Sequence, residues 1–287
     1  MTTQPQNLWN ARTRLGEGPL WSSEYRCLLF VDILASRLLS YTPDSGETRS
    51  WPLEEACCWL APHAGGGLVA GLRSRLVHLT LDGGSPRILE TLAEPVADTS
   101  GHRLNDGKAD PRGRLWFGSM DNREQAASGR LLRFDKRGLH EMDRPYTVTN
   151  GPAISADGGT LYHTDSPARA IHAFDLADDG TLANKRLHIR FSEEDGFPDG
   201  MTLDAEGGLW VAHWDGARVT RFLADGRRDR EVRLPVSRVT CCTFGGDDLA
   251  TLYITTAAEG CDAQSQAGAL FSVRPGIHGL SPCAYRP

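Results

Sequence analysis

The 287-residue sequence is as informative in what it lacks as in what it holds. Its seven cysteines are odd in number and form no CxxC pair. That spacing argues against a thiolate zinc site and, with Cys57–Cys58 and Cys241–Cys242 adjacent, suits small core-filling thiols in a reducing compartment. No run approaches the ~20 apolar residues of a membrane span. Met1 to Gln6 carries neither a basic n-region nor an apolar h-region, so no signal peptide is expected and the cytoplasm is the expected location. Net charge is −6, which provides no basic footprint for nucleic acid or an anionic membrane surface. There is no HExxH for a histidine-held metal, although His63, His163 and His213 fall in or near strands. There is also no GxSxG elbow for a serine hydrolase, and no GK[ST] after the "AGGG" of residues 64–67 to make a phosphate loop. Helical periodicity of useful length is missing too, as is any linker or low-complexity stretch.

What is present is a repeat. The 31 glycines and 16 prolines suit many short strands and tight turns. A Gly/Asp turn followed by a strand that begins at leucine recurs in "EYRCLLFVDI", "AGGGLVAGL", "PRGRLWFGSM", "DGGTLYHTDS", "AEGGLWVAHW" and "DDLATLYITT". The anchors are Leu28, Leu68, Leu115, Leu161, Leu209 and Leu252, a period of ~40–50 residues, the length of one propeller blade. Each unit has a strand before the turn, a second alternating strand about ten residues after the leucine ("RLLRFD", "RVTRFL"), and a weaker outer strand. The expected fold is all-β: a six-bladed β-propeller with four antiparallel strands per blade, one domain over residues 1–287. The leftover "NLWNARTR" is expected to pair into the last blade and close the ring, since an open ring leaves sheet edges exposed.

In such a ring the first strand of each blade faces the axis, so polar residues far apart in sequence can meet there. At 9–11 residues before the anchors stand Glu17, Cys58, Asp106 beside Asn105, Asn150, Asp199 and Cys241. Glu-Gly, Asn-Gly and Asp-Gly are ordinary turn dipeptides, and one alone would say little. Four carboxylate or amide residues at one register point instead to a shared site. Converging carboxylates repel unless a cation or protons intervene, and an oxygen-only set suits a hard divalent ion. Arg103 is a further candidate, able to orient a carbonyl or carboxylate, or else to form a salt bridge between blades. Trp59, Trp210 and Trp214 could wall a pocket or pack in the core. The polar loop "MDNREQAASG" could lean over the channel mouth.

With "LGEGPLW", "RLNDGKADPRGRLWFGSM", "TNGPAISADGGTLYHTDS", "FPDGMTLDAEGGLWVAHW" and "CCTFGGDDLATLYITTA" in hand, the chain resembles, blade by blade, the senescence marker protein/gluconolactonase/luciferin-regenerating family, which includes regucalcin and bacterial sugar lactonases. The resemblance implies a propeller that hydrolyses an aldonolactone, with xylono-, arabinono- or galactonolactone enzymes the nearer likeness. It implies one divalent metal ion held by Glu17, Asn150 and Asp199, with Arg103 and Asn105 contacting substrate. The ion is left open among Ca²⁺, Mg²⁺, Mn²⁺, Zn²⁺ and Fe²⁺. In the mechanism this suggests, the ion acts as a Lewis acid, and Asp199 or hydroxide formed at the ion delivers the nucleophile. One departure stands out. Some members place a sugar-touching glutamate soon after "GTM", whereas here Asp121, Asn122 and Arg123 follow "GSM" and Glu124 is displaced, so that role is not carried over. A hydrolase of other esters or lactones, and a non-catalytic calcium-binding propeller, are the competing readings. The expected partner is a small sugar lactone, with no nucleic acid, membrane or obligate protein partner.

Overall fold

The computed structural model describes residues 4–82, 84–97, 101–261 and 263–287. Residues 1–3, on which the signal-peptide expectation partly rests, lie outside the described residues. The chain forms six four-stranded antiparallel sheets. The innermost strands are β2 (Gly16–Ser22), β6 (Cys57–Pro62), β10 (His102–Ala109), β14 (Thr149–Ile154), β18 (Phe197–Leu203) and β22 (Val239–Gly245). Each touches the next around the axis, and β22 returns to β2, so the ring is closed.

The anchor leucines open or nearly open the second strands, β3 (Cys27–Asp32), β7 (Leu68–Leu72), β11 (Leu115–Asp121), β15 (Thr160–Asp165), β19 (Leu209–Trp214) and β23 (Thr251–Thr256), and all six are buried. The third strands are β4 (Arg37–Thr42), β8 (Leu76–Thr80), β12 (Gly129–Asp135), β16 (Ala170–Leu176), β20 (Arg218–Phe222) and β24 (Leu270–Val273). Stacking between neighbouring blades covers both faces of these inner strands, which is why they read as near-continuous apolar runs. The outer strands β5 (Glu47–Pro52), β9 (Arg87–Ala93) and β21 (Arg228–Arg233) are mostly exposed and carry charge, hence their weak sequence signal. The remaining outer strands are β13 (Gly138–Tyr146) and β17 (Leu182–Arg190).

In the sixth blade the outer strand is the N-terminal β1 (Gln6–Trp9), which pairs antiparallel with β24. The expected closure by the N-terminal segment is therefore present. Trp9 packs edge-on against Phe30 of the first blade, with ring centroids 5.7 Å apart. The buried Thr13 hydroxyl reaches the carbonyls of Thr256 and Gly268, each at 3.0 Å. The C-terminal segment adds a second tie across the far end of the ring. The Ala205 amide donates to the His278 carbonyl (2.9 Å), Gly279 to Leu249 (2.8 Å), Tyr285 to Pro62 (2.8 Å) and Arg286 to Gly113 (2.9 Å). Among the described residues no helix is long and apolar enough to cross a membrane.

Most buried carboxylates in the blades are fully employed. Asp110 accepts from the Arg114 amide (3.0 Å), the Arg114 guanidinium (2.6 Å) and the Trp116 indole (2.8 Å). Asp204 repeats the arrangement with Gly208 (2.8 Å), Arg221 (2.7 Å) and Trp210 (2.7 Å). These groups brace turns and tie strands together, and Trp210, like Trp59, is core.

Two predictions follow from the packing. Removing residues 1–10 strips the sixth blade of β1 and should lower the melting temperature by about 5 °C, for a loss on the order of 3 kcal/mol. An unchanged melting temperature would show that β1 does not hold the ring. The buried His163 and His213 are held neutral, burial pushing them down to about 3 and about 4. As pH falls below the ordinary histidine value the unfolded chain takes up protons that the folded one refuses, so stability drops between about pH 6.5 and pH 4. Melting curves of the unmutated protein should show this, and His213→Gln, which can still donate to the Asp195 carbonyl, should flatten the slope.

Candidate functional site

The same irregularity recurs in all six inner strands. Pairing with the second strand slips between Glu17 and Leu20, Cys57 and Trp59, Leu104 and Gly107, Asn150 and Ala153, Pro198 and Met201, and Val239 and Cys241. A bulge releases residues from the ladder and re-aims their side chains. Here it turns one group of side chains per blade towards the axis. Gly18 and Gly151 serve this geometry at positive φ, +53° and +73°. A Cβ on Gly18 would stand 3.0 Å from Cα of Trp59, and one on Gly151 would stand 2.5 Å from Cε of Met201.

At one mouth the released side chains line a cavity of about 290 Å³. Glu17, Asn150 and Asp199 are brought together in it, with Arg103 and Asn105 beside them. All five sequence candidates thus share one cavity. Glu17, Asn150 and Asp199 are 6%, 4% and 7% exposed, so bulk water does not compensate their polarity. Leu15, Val148, Pro167, Phe197 and Trp214 supply the walls. Of the three tryptophans weighed as wall residues only Trp214 serves, with the Arg238 guanidinium stacked 4.5 Å from its ring centroid.

Asp106 departs from the expected grouping. At the bulge between Leu104 and Gly107, Asn105 lines the mouth cavity while Asp106 lines a second chamber of about 240 Å³. That chamber is floored by Leu280–Cys283 and also holds Lys108, whose ammonium donates to the Met201 carbonyl. Asp106 accepts from the amides of Gly107 (2.7 Å) and Gly151 (3.1 Å).

The carboxylates of the mouth cavity have no such support. Among the described residues Glu17 accepts from the Gly18 amide alone (2.9 Å), and the Gly200 amide offsets only part of the burial of Asp199. Burial pushes both well above the usual carboxylate range. Repulsion from Asp106 adds to this for Glu17, and repulsion from Glu17, Asp106 and Glu124 for Asp199. Arg103 and Lys108 offset only part of it at Glu17. Two buried carboxylates and an amide, facing one cavity without an arginine clamp, fit a hard divalent cation by donor chemistry and by charge. Among the described residues no group of three or more His, Cys, Asp or Glu could hold a metal ion, and the mouth set is two carboxylates and one amide.

Two polar residues of the cavity were not assigned from sequence. Glu124 lies in it despite its displacement in the chain. Asp121 accepts from the amides of Arg123 (3.2 Å), Gln125 (3.3 Å) and Ala126 (3.3 Å), and the loop brings Glu124 inward with φ +57°. Ser166 is the other, buried just after β15. It closes the "YHTDS" stretch, where a lone serine gives no chemical signal.

Comparison with known proteins follows the same lines. Residues 15–258 match the family described as SMP-30/gluconolactonase/LRE-like region. The chain is 35% identical over 274 residues, 93% of each chain, to 6-deoxy-6-sulfogluconolactonase of Pseudomonas putida. Among solved structures, a luciferin-regenerating enzyme superposes with a TM-score of 0.92 at 28% identity, covering 99% of each chain. A calcium-binding protein, regucalcin, from Agrobacterium tumefaciens superposes with a TM-score of 0.90 at 25% identity, covering 98% of this chain and 97% of that one.

Proposed function

We propose that this chain, which belongs to the SMP-30/gluconolactonase/LRE-like family, hydrolyses a pentono- or hexonolactone to the aldonic acid with one divalent cation. The observation that carries this reading is the meeting of Glu17, Asn150 and Asp199, from three separate blades, in a buried cavity whose arginine, Arg103, offsets only part of the repulsion at Glu17 and bonds to Asn105 and the Leu104 carbonyl instead. Those three side chains would hold the ion, which when bound would supply Lewis-acid polarisation of the lactone carbonyl. The lactonase name of the Pseudomonas putida relative and the calcium-binding name of the Agrobacterium neighbour support the two halves of the reading.

The chain's own residues do the rest. Asp199 takes a proton from the water that adds to the carbonyl carbon, and returns it to the ring oxygen as the C–O bond breaks. Arg103, fixed by its bonds to Asn105 Oδ1 (2.5 Å) and the Leu104 carbonyl (2.9 Å), faces the charge that develops on the carbonyl oxygen. Asn105 and Glu124 hold substrate hydroxyls, and Phe197 and Trp214 exclude water from the walls. With every cysteine free, the cytoplasm is the compartment we assign.

The test is acid release from a panel of sugar lactones and aryl esters, corrected for spontaneous hydrolysis, with protein stripped of metal and then reconstituted with Ca²⁺, Mg²⁺, Mn²⁺, Zn²⁺ or Fe²⁺. Sugar lactones should turn over only after reconstitution. Asp199→Asn should lose a factor of about 10²–10⁴ in kcat while still binding the ion, if Asp199 is the base. Unchanged activity in that variant would remove Asp199 from the proton transfer. The calcium-binding name of the Agrobacterium neighbour favours a second reading, a propeller that binds calcium without turnover. It predicts no hydrolysis of any lactone, and loss of Ca²⁺-induced thermal stabilisation in Glu17→Gln.

A further inference from the structure

Ser166 has one proton and two neighbours. Its Oγ lies 2.6 Å from the Pro198 carbonyl oxygen and 2.9 Å from Nδ2 of Asn150. A carbonyl oxygen only accepts, so the hydroxyl proton points at Pro198, and Ser166 can then only accept from residue 150. This forces Nδ2 of Asn150 towards Ser166 and Oδ1 the other way. The opposite end of the network demands the same orientation. Arg103 only donates, so Oδ1 of Asn105 faces it at 2.5 Å. Asn105 Nδ2 then donates to the Thr149 carbonyl (2.5 Å) and to Asn150 Oδ1 (3.1 Å). Donation runs one way, from the Arg103 cation through Asn105, Asn150 and Ser166 to the carbonyl next to Asp199. It crosses three blades, and each bond polarises the next.

We propose that Ser166 is a positioning residue that locks the Asn150 amide with its oxygen available to a cation, and so sets the affinity of the site. This rests on the reading that Glu17, Asn150 and Asp199 hold a divalent ion. A metal-binding amide must offer oxygen, and without the Ser166 acceptor only the 3.1 Å bond from Asn105 Nδ2 still opposes turning the Asn150 NH₂ to the cavity. The Pro198 carbonyl, one residue from Asp199, loses its donor in the same step.

The experiment is titration of the full chain, stripped of metal, with Mn²⁺, followed by calorimetry and by the Mn²⁺ paramagnetic signal. The unmutated protein is compared with Ser166→Ala, Ser166→Thr and Glu17→Gln, with the metal-free melting temperature of each as the folding control. Ser166→Ala should bind Mn²⁺ about 10–100-fold more weakly, and Ser166→Thr, which keeps the hydroxyl, should stay within a factor of about three of the unmutated protein. Unchanged affinity in Ser166→Ala, or equal loss in Ser166→Thr, overturns the role of the hydroxyl. If either occurs while Glu17→Gln still weakens binding, the ion site stands and Ser166 alone is rejected. If the unmutated protein takes up no Mn²⁺, or Glu17→Gln changes nothing, the ion site and the positioning role fall together.

Discussion

Two carboxylates buried at the axis of a closed ring, with neither an arginine clamp nor a set of backbone donors, are the constraint on which the rest of the structure turns. Leaving such a charge unpaired costs several kcal/mol per ion. Elsewhere the chain avoids that cost: Asp110 and Asp204 are just as buried, and each is bound to an arginine, an indole and a backbone amide. Glu17 and Asp199 are left without this support. The contrast between these two and the fully bonded structural carboxylates is the ground for proposing a ligand that brings positive charge.

The ring makes that arrangement tolerable. Six bulges at equivalent points detach one group of side chains per blade from the ladder, while the flanking strands stay paired and packed. β1 at the rim and the C-terminal segment at the far end tie the blades to one another. The amide–hydroxyl chain from Arg103 to Pro198 adds direction, since each member can hold only one orientation. The site is thereby pre-shaped by the scaffold and does not depend on a mobile loop for its central groups, although Glu124 comes from one.

Much of this was legible in the sequence. The six leucines marked the second strands because interior strands must be apolar on both faces, and the polar residues upstream marked the bulges. The resemblance assigned Glu17, Asn150 and Asp199 as the ion-holding set, and the structure gathers them in one cavity. The register could not separate Asn105 from Asp106, because a window of 9–11 residues spans both faces of a strand, and only the bulge decides which enters the mouth. Glu124 was hidden by a loop whose path depends on Asp121 capping three amides. Ser166 was hidden because its role lies in one hydrogen bond across blades, which no spacing records. Trp214 and Trp59 look alike in sequence and differ only in whether a neighbouring blade covers them.

Diffraction from a crystal of the protein soaked in Mn²⁺, recorded where manganese scatters anomalously, tests the central claim most directly. The account predicts one strong peak at the mouth of the channel, at about 2.0–2.6 Å from carboxylate oxygens of Glu17 and Asp199 and from the amide oxygen of Asn150. No peak there, or a peak only in the second chamber beside Asp106, would contradict it.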